Sequence, residues 1–328
     1  MLFEAQVREM TDEVSNEQNR FDLLIIGAGA AGLTAGIYGG RAGLRTAIID
    51  GKGAGGQTGV ASTIENFPGI KVIEGYELAM RFKEHAEEYV TILEGKTIDS
   101  IIQVEDMDNI HFRVQSSDGD EFLAGAILLA TGADHRKLGV PGEEEFDGKG
   151  VSYCATCDGF FFRDKKVYMI GGGNTALMES IYLKDVGVDV SIVHRRNEFR
   201  GDSIYHKQVE KKGIPVVWDS VVEEIKGEML VDKIVLKNTK TGELNEMDAK
   251  GVFVAIGIIP NSSLAKGIGC ELDDRGFVKT DRKQRTNVPY IYAAGDLTGG
   301  LQQIIVAGGE GAIAAMTAHE DLTHPYWL

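Results

Sequence analysis

Near-continuous apolar runs, each followed by glycines and then by an apolar stretch of helical period, recur in two similar halves of this chain. In the first half, residues 21–26 (F-D-L-L-I-I) have the pattern of a strand covered on both faces. Residues 30–38 predict a helix and 46–49 a second strand, ending at Asp50. Residues 51–59 read as a flexible glycine-rich loop and 73–89 as a helix. Residues 91–93, 98–104, 110–115 and 121–123 read as the short strands of a meander. A buried strand over 126–130 ends in Thr131-Gly132-Ala133. The second half repeats the plan with a strand at 167–170, a helix at 175–184, a strand at 188–193 and a helix at 201–212. A second meander occupies 216–218, 221–225, 231–237 and 247–250, before a buried strand at 252–256. The chain closes with a strand at 290–294 and an apolar, small-residue-rich helix at 304–319. This order predicts an α/β protein with two Rossmann-like dinucleotide-binding domains.

The glycines give each half its chemistry. Gly27, Gly29 and Gly32 form G-x-G-x-x-G between strand and helix, and Asp50 stands 23 residues after Gly27. The first glycine makes the turn, the second admits a pyrophosphate, and the third lets helix and strand pack closely. A carboxylate at Asp50 suits ribose hydroxyls. In the second half Gly171, Gly173 and Ala176 form G-x-G-x-x-A, and the slot 23 residues on holds His194, followed by Arg195, Arg196 and Arg200. A carboxylate repels a 2′-phosphate, whereas guanidinium groups pair with it bidentately. The first unit is therefore expected to bind an unphosphorylated adenosine and the second NADP(H). Gln57 and Asn66 are candidate polar contacts to a flat ligand. Asp296, after the strand at 290–294, is a candidate for ribityl or ribose hydroxyls. The helix start near Gln302-Gln303-Ile304 can turn its positive dipole toward a ring that gains negative charge on reduction.

Between the halves stand Cys154 and Cys157 in a C-x-x-C pair, with Asp158 next. This spacing lets two thiols close a small disulfide and lowers the pKa of one of them. In an intracellular enzyme it signals redox chemistry or a metal more often than structure. A zinc site wants a fuller ligand set, usually as two paired motifs, and only Cys270 and scattered histidines remain. Cys270 reads as a small buried hydrophobe. Hydrophobic residues make up 43% of 328, enough for the cores of two domains. The net charge of −16 argues against nucleic acid or an anionic membrane as a partner. Residues 1–20 carry charges throughout and lack the apolar region of a signal peptide, so they read as a docked extension. The three cysteines fit a reducing, cytoplasmic compartment.

Taken together, G-A-G-A-A-G, G-G-Q, E-N-F-P-G, A-T-G-A, C-A-T-C-D, G-G-G-N-T-A, H-R-R-x-x-x-R and Y-A-A-G-D resemble the low-molecular-weight thioredoxin reductases. The resemblance covers 27–303 and implies an FAD domain (21–133 and 257–328) with an NADPH domain (134–256) inserted in it. It places FAD contacts at Gly27, Gly29, Ala30, Ala31, Gly32, Asp50, Gly55, Gly56, Gln57, Asn66, Thr131, Gly132, Ala133, Gly295, Asp296 and Gln303. NADPH contacts fall at Gly173, Asn174, Thr175, Ala176, His194, Arg195, Arg196 and Arg200. It further implies that Cys157 faces the flavin, that Cys154 attacks a thioredoxin-type partner, and that Asp158 moves the proton. A homodimer and a large domain rotation are family expectations as well. Many members carry Arg-Gln-Ala where this chain has Gln302-Gln303-Ile304, so an arginine contact to the flavin is lost. Competing readings are a dithiol-independent flavin oxidase or ferredoxin–NADP reductase, which needs no C-x-x-C, and a non-catalytic dinucleotide sensor.

Overall fold

The run at the head of the first half is a strand, Arg20–Ile26, and it lies in the middle of a seven-stranded sheet. The computed structural model describes residues 19–61, 63–107 and 109–324; the extension read at 1–20 lies outside them except for Asn19 and Arg20. Parallel neighbours of Arg20–Ile26 are Thr46–Asp50 on one side and Glu121–Leu129 on the other. Leu23, Leu24 and Ile25 are fully buried, as a strand covered on both faces requires. One face packs against helix residues including Leu33, Ala35, Ala314 and Ala318. The other packs against Phe112, Val114 and Phe122 of an antiparallel layer. This is a three-layer ββα arrangement.

Two elements of this sheet differ from the sequence expectation. Thr91–Glu94 does not join the meander; it pairs in parallel with Thr46–Asp50 at the sheet edge. The strands expected at 121–123 and 126–130 are one strand, Glu121–Leu129. Its first half pairs antiparallel with Ile110–Ser116 and its second half in parallel with Ile291–Ala293. One strand thus belongs to both the meander and the parallel sheet. A third difference lies in the loop at 51–59, whose end forms a short helix, Gly56–Val60.

Among the described residues the chain divides into two compact units. One is built from the chain up to Asp134 and from Ile259 on, the other from His135–Ile258. The second unit repeats the plan. Its parallel sheet runs Val216–Val217, Asp189–Val193, Lys166–Ile170, Gly251–Val254, Val151–Ser152. Val216–Val217, expected in the second meander, is the edge strand of this sheet. The meander itself has three strands, Ser220–Gly227, Val231–Asn238 and Leu244–Asp248. The fourth strand slot is filled alike in both units, and the fifth differs in origin. In the first unit the fifth strand is Ile291–Ala293, from the returning chain; in the second it is Val151–Ser152, at the unit's entry. No described helix is long and apolar enough to cross a membrane.

Candidate functional site

Each parallel sheet ends in a glycine turn. A Cβ at Gly27 would stand 2.2 Å from the Ala130 carbonyl oxygen, and its φ of +113° suits only glycine. A Cβ at Gly32 would stand 1.8 Å from the Gly27 carbonyl oxygen, so strand and helix are in backbone contact. Around Gly29 the space is open, and Gly29 caps the Ala30–Arg41 helix without a side-chain cap. The first-turn amides, with buried Ala30 and Ala31 behind them, therefore suit an anion. Asp50 organises this end of the sheet: Oδ2 accepts from the Ala28 amide at 2.8 Å, and Oδ1 from the amides of Lys52 and Gly53 at 2.8 and 2.9 Å. The Gly55 amide donates to the Ala28 carbonyl, and Gly56 lies against Gly29. These residues converge on one strand end.

The remaining candidates of this unit gather at the same end of the sheet. Gln57 Nε2 lies 3.4 Å from the Ala133 carbonyl and 3.4 Å from Asp134 Oδ1. The Asn66 amide donates to Gln303 Oε1 at 2.9 Å, and Gln303 is the N-terminal cap of the Ile304–Thr323 helix. Asn261, which the sequence did not single out, clamps Thr131-Gly132. Its side chain donates to the Thr131 carbonyl, its amide to the Gly132 carbonyl, and its own carbonyl accepts from the Thr131 hydroxyl. Glu310 was also missed. It accepts from the Gly295 amide at 2.8 Å and from the Thr298 hydroxyl at 3.2 Å, which fixes the turn that presents Asp296. Burial, with the Glu310 charge added, pushes the Asp296 carboxyl up to about 6.

In the second unit Gly173 caps the Asn174–Asp185 helix without a side-chain cap and faces open space, while Ala176 is fully buried. Thr175 is exposed in the first turn. Asn174 and Asp202 bond reciprocally, the Asn174 side chain to Asp202 Oδ2 and the Asp202 amide to Asn174 Oδ1. Arg195, Arg196 and Arg200 are exposed. The Arg200 amide donates to the Gly172 carbonyl, so the arginine loop is tied to the glycine turn. His194 does not join them at the surface. It is 5% exposed, its ring packs on Gly172 and against Phe199 and Trp218, and its Nε2 has no partner. Burial first, and the three arginines after it, hold its pKa below the ordinary value. His194 is thus packed beneath the loop that carries the exposed arginines, not set beside them at the surface.

The dithiol turn comes after Val151–Ser152, at the end of the fifth strand. Cys154 and Cys157 are joined in a disulfide, and Cys154 caps the one-turn helix Ala155–Asp158, accepting from the Cys157 amide at 3.2 Å. Cys157 is exposed and Cys154 half-buried. Asp158 Oδ2 accepts from the Ser152 hydroxyl at 2.6 Å, and Ser152 Oγ accepts from the Cys154 amide at 3.2 Å. Burial raises the Asp158 carboxyl; the Ser152 bond works the other way. An acid that holds a proton nearer neutrality thus sits one residue from a reducible bond. Cys270, in contrast, is buried in the first unit's core, and burial raises its thiol.

Comparison with known proteins agrees with this geometry. The sequence pattern of the pyridine nucleotide-disulphide oxidoreductases spans residues 21–311. A thioredoxin reductase of Peptoclostridium acidaminophilum is 42% identical over 312 residues, covering 92% of this chain and 97% of the relative. One from Bacillus subtilis (strain 168) is 38% identical over 305 residues, covering 92% and 95%. Among solved structures, thioredoxin reductase from Streptococcus pyogenes MGAS5005 superposes with a TM-score of 0.86 at 38% identity, covering 93% of this chain and 99% of that one.

Proposed function

Since this chain belongs to the pyridine nucleotide-disulphide oxidoreductase family, within its thioredoxin reductases, we propose that it uses NADPH to reduce the disulfide of thioredoxin, or of a similar small protein, through FAD and the Cys154–Cys157 pair. The observation that carries this reading is the disulfide itself, held at a strand end of a dinucleotide-type sheet with the raised carboxyl of Asp158 beside it. The unit built from the chain up to Asp134 and from Ile259 on is the FAD domain in this reading, and His135–Ile258 is the NADPH domain.

The residues present fit both cofactors. The uncapped helix start behind Gly29 and the open face of that glycine suit the FAD pyrophosphate. Asp50 already bonds three backbone amides, so it would reach a ribose with its remaining lone pairs. Asp296, presented by the Glu310-fixed turn, suits the ribityl hydroxyls. When bound, the flavin supplies what these side chains lack, acceptance of hydride from NADPH and passage of the electron pair to sulfur. Arg195, Arg196 and Arg200 would hold the 2′-phosphate of NADPH, with buried His194 supporting the loop beneath them.

Once reduced, the pair works by exchange. The Cys154 thiolate attacks the partner's disulfide; a Cys154–partner bond forms, and one partner sulfur leaves and takes a proton. Cys157 then attacks Cys154, which re-forms the Cys154–Cys157 bond and frees the second partner sulfur. Asp158 holds the proton that the departing sulfur needs. The purified protein is expected to be yellow and to oxidise NADPH only when thioredoxin or a small aromatic disulfide is added. A colourless preparation, or one inert toward both substrates, overturns the reading. Replacing Arg195 or Arg196 by alanine should raise KM for NADPH by roughly 10- to 100-fold, the worth of a charge-assisted hydrogen bond, and leave KM for NADH nearly unchanged. An equal effect on both nucleotides would remove the arginines from the 2′-phosphate.

A further inference from the structure

Ser152 is the last residue of the strand that leads into the dithiol turn. It pairs in parallel with Phe253 of Gly251–Val254 and is only 4% exposed. Its hydroxyl stands between Cys154 and Asp158. Oγ accepts from the Cys154 amide at 3.2 Å, donates to Asp158 Oδ2 at 2.6 Å, and lies 3.4 Å from the Cys154 carbonyl oxygen. That carbonyl already accepts from the Asp158 amide at 3.1 Å. A hydroxyl has one proton to donate and two lone pairs to accept with, and a carbonyl oxygen has two lone pairs. The four groups can therefore be satisfied in two ways. With Asp158 ionised, Ser152 gives its proton to the carboxylate. With Asp158 protonated, the carboxyl gives its proton to Oγ, which still accepts from the Cys154 amide, and the serine proton turns to the second lone pair of the Cys154 carbonyl. Neither arrangement strands a side chain, and the change between them needs only rotation of one hydroxyl.

We infer that Ser152 is a positioning residue for this pair: by rotating its one hydroxyl it keeps Asp158 partnered before and after the carboxyl gives up its proton. The inference rests on the redox reading of Cys154–Cys157. In the exchange the Cys154 thiolate bonds one partner sulfur, the partner's S–S bond breaks, and the departing sulfur takes the Asp158 proton. The carboxylate so formed is met by the Ser152 hydroxyl. Burial raises the Asp158 carboxyl, the Ser152 hydrogen bond lowers it, and the Asp147 charge raises it further. Two elements pack on the turn. The helix Asn174–Asp185 carries Glu179, Tyr182, Lys184 and Asp185, and Gly159–Phe162 carries no ionisable group.

The test uses the full-length protein, reduced with dithiothreitol, freed of it, and mixed with hydroxyethyl disulfide between about pH 5 and 9. Alkylation stops the reaction, and the oxidised Cys154–Cys157 peptide is quantified by mass. One limb of the rate profile belongs to Asp158 and disappears in Asp158→Asn. The Ser152 hydrogen bond favours the carboxylate, so its loss in Ser152→Ala should move that limb to higher pH by about one unit, a tenfold change in proton affinity. Ser152→Thr keeps the hydroxyl and should restore the native limb. In the Asp158→Asn background Ser152→Ala should shift nothing. Dithionitrobenzoate releases an acidic thiolate that needs no proton, so with it the native protein and Ser152→Ala should give the same profile. A uniform loss of rate in Ser152→Ala with the limb unmoved overturns the inference while the redox reading stands. So does a native profile with no limb that Asp158→Asn removes. A limb displaced with dithionitrobenzoate as well assigns the effect to the Cys154 thiol and also overturns it. Failure of the reduced pair to exchange with either disulfide at any pH overturns both.

Discussion

With serine at both Cys154 and Cys157, NADPH-driven reduction of thioredoxin falls below ~0.1% of the native rate, while NADPH still bleaches the flavin absorbance. A serine hydroxyl is far less acidic than a thiol, so it supplies no nucleophile near neutral pH and forms no disulfide. Only the last transfer of the electron pair is removed, which is why the two readouts separate. The single variants then order the sulfurs. Cys157→Ser leaves Cys154 to form a mixed disulfide that nothing resolves, so an adduct of summed mass, sensitive to dithiothreitol, should accumulate with oxidised thioredoxin. Cys154→Ser should give none. Cys157 is the more exposed residue of the pair in this structure. An adduct with Cys154→Ser alone would therefore reverse the two roles. Thioredoxin reduction by the double variant would remove the pair from the reaction altogether.

The second large effect is on stability. Asp321, on the Ile304–Thr323 helix, is fully buried and accepts three hydrogen bonds. Two come from Arg285, Nε at 2.7 Å and Nη2 at 2.5 Å, and one from the Tyr292 hydroxyl at 2.9 Å. Arg285 is itself 9% exposed. Asp321→Ala removes the buried carboxylate that two of this guanidinium's hydrogen bonds reach and is expected to cost about 3–5 kcal/mol, read as a lower midpoint in urea with an unchanged slope. Glu320 and Asp281 approach Arg285 at 3.8 and 3.9 Å and are both well exposed, so they offset little of the loss. Tyr292→Phe removes one neutral donor and should cost only about 1 kcal/mol. A loss below about 1 kcal/mol for Asp321→Ala would show that the exposed carboxylates suffice.

The parts of the fold that could be read from the chain are those set by local pattern. Strand, glycine turn, helix and second strand stand where period and spacing put them, because sterics decide them within about 30 residues. Pairing was less legible. Thr91–Glu94 and Val216–Val217 are too short to declare a partner, and only tertiary register makes them parallel edges. Gly125 lies in the gap between the strands expected at 121–123 and 126–130. In the structure the Asn109 carbonyl approaches within 2.7 Å of where its Cβ would be, so the glycine admits a neighbouring backbone inside a continuous strand. The site divides in the same way. The cysteines and glycines announced themselves by spacing. Asn261 and Glu310 are single polar residues defined by contacts 12 to 130 positions away, which no local pattern carries. The burial of His194 was not legible either: its neighbours in sequence are arginines, whereas its neighbours in space include Gly172, Phe199 and Trp218.

Val151–Ser152 and Ile291–Ala293 fill the same lane of their respective sheets. The lane leads into a sulfur pair in one case and into the carboxylate Asp296 in the other. Each lane thus ends in polar or reactive side chains set on a turn whose neighbouring residues, Ala155 and Leu297, are anchored in the core. Exchange of the two cysteines for other side chains would therefore change what the lane presents while its core anchors and the two glycine turns stay in place.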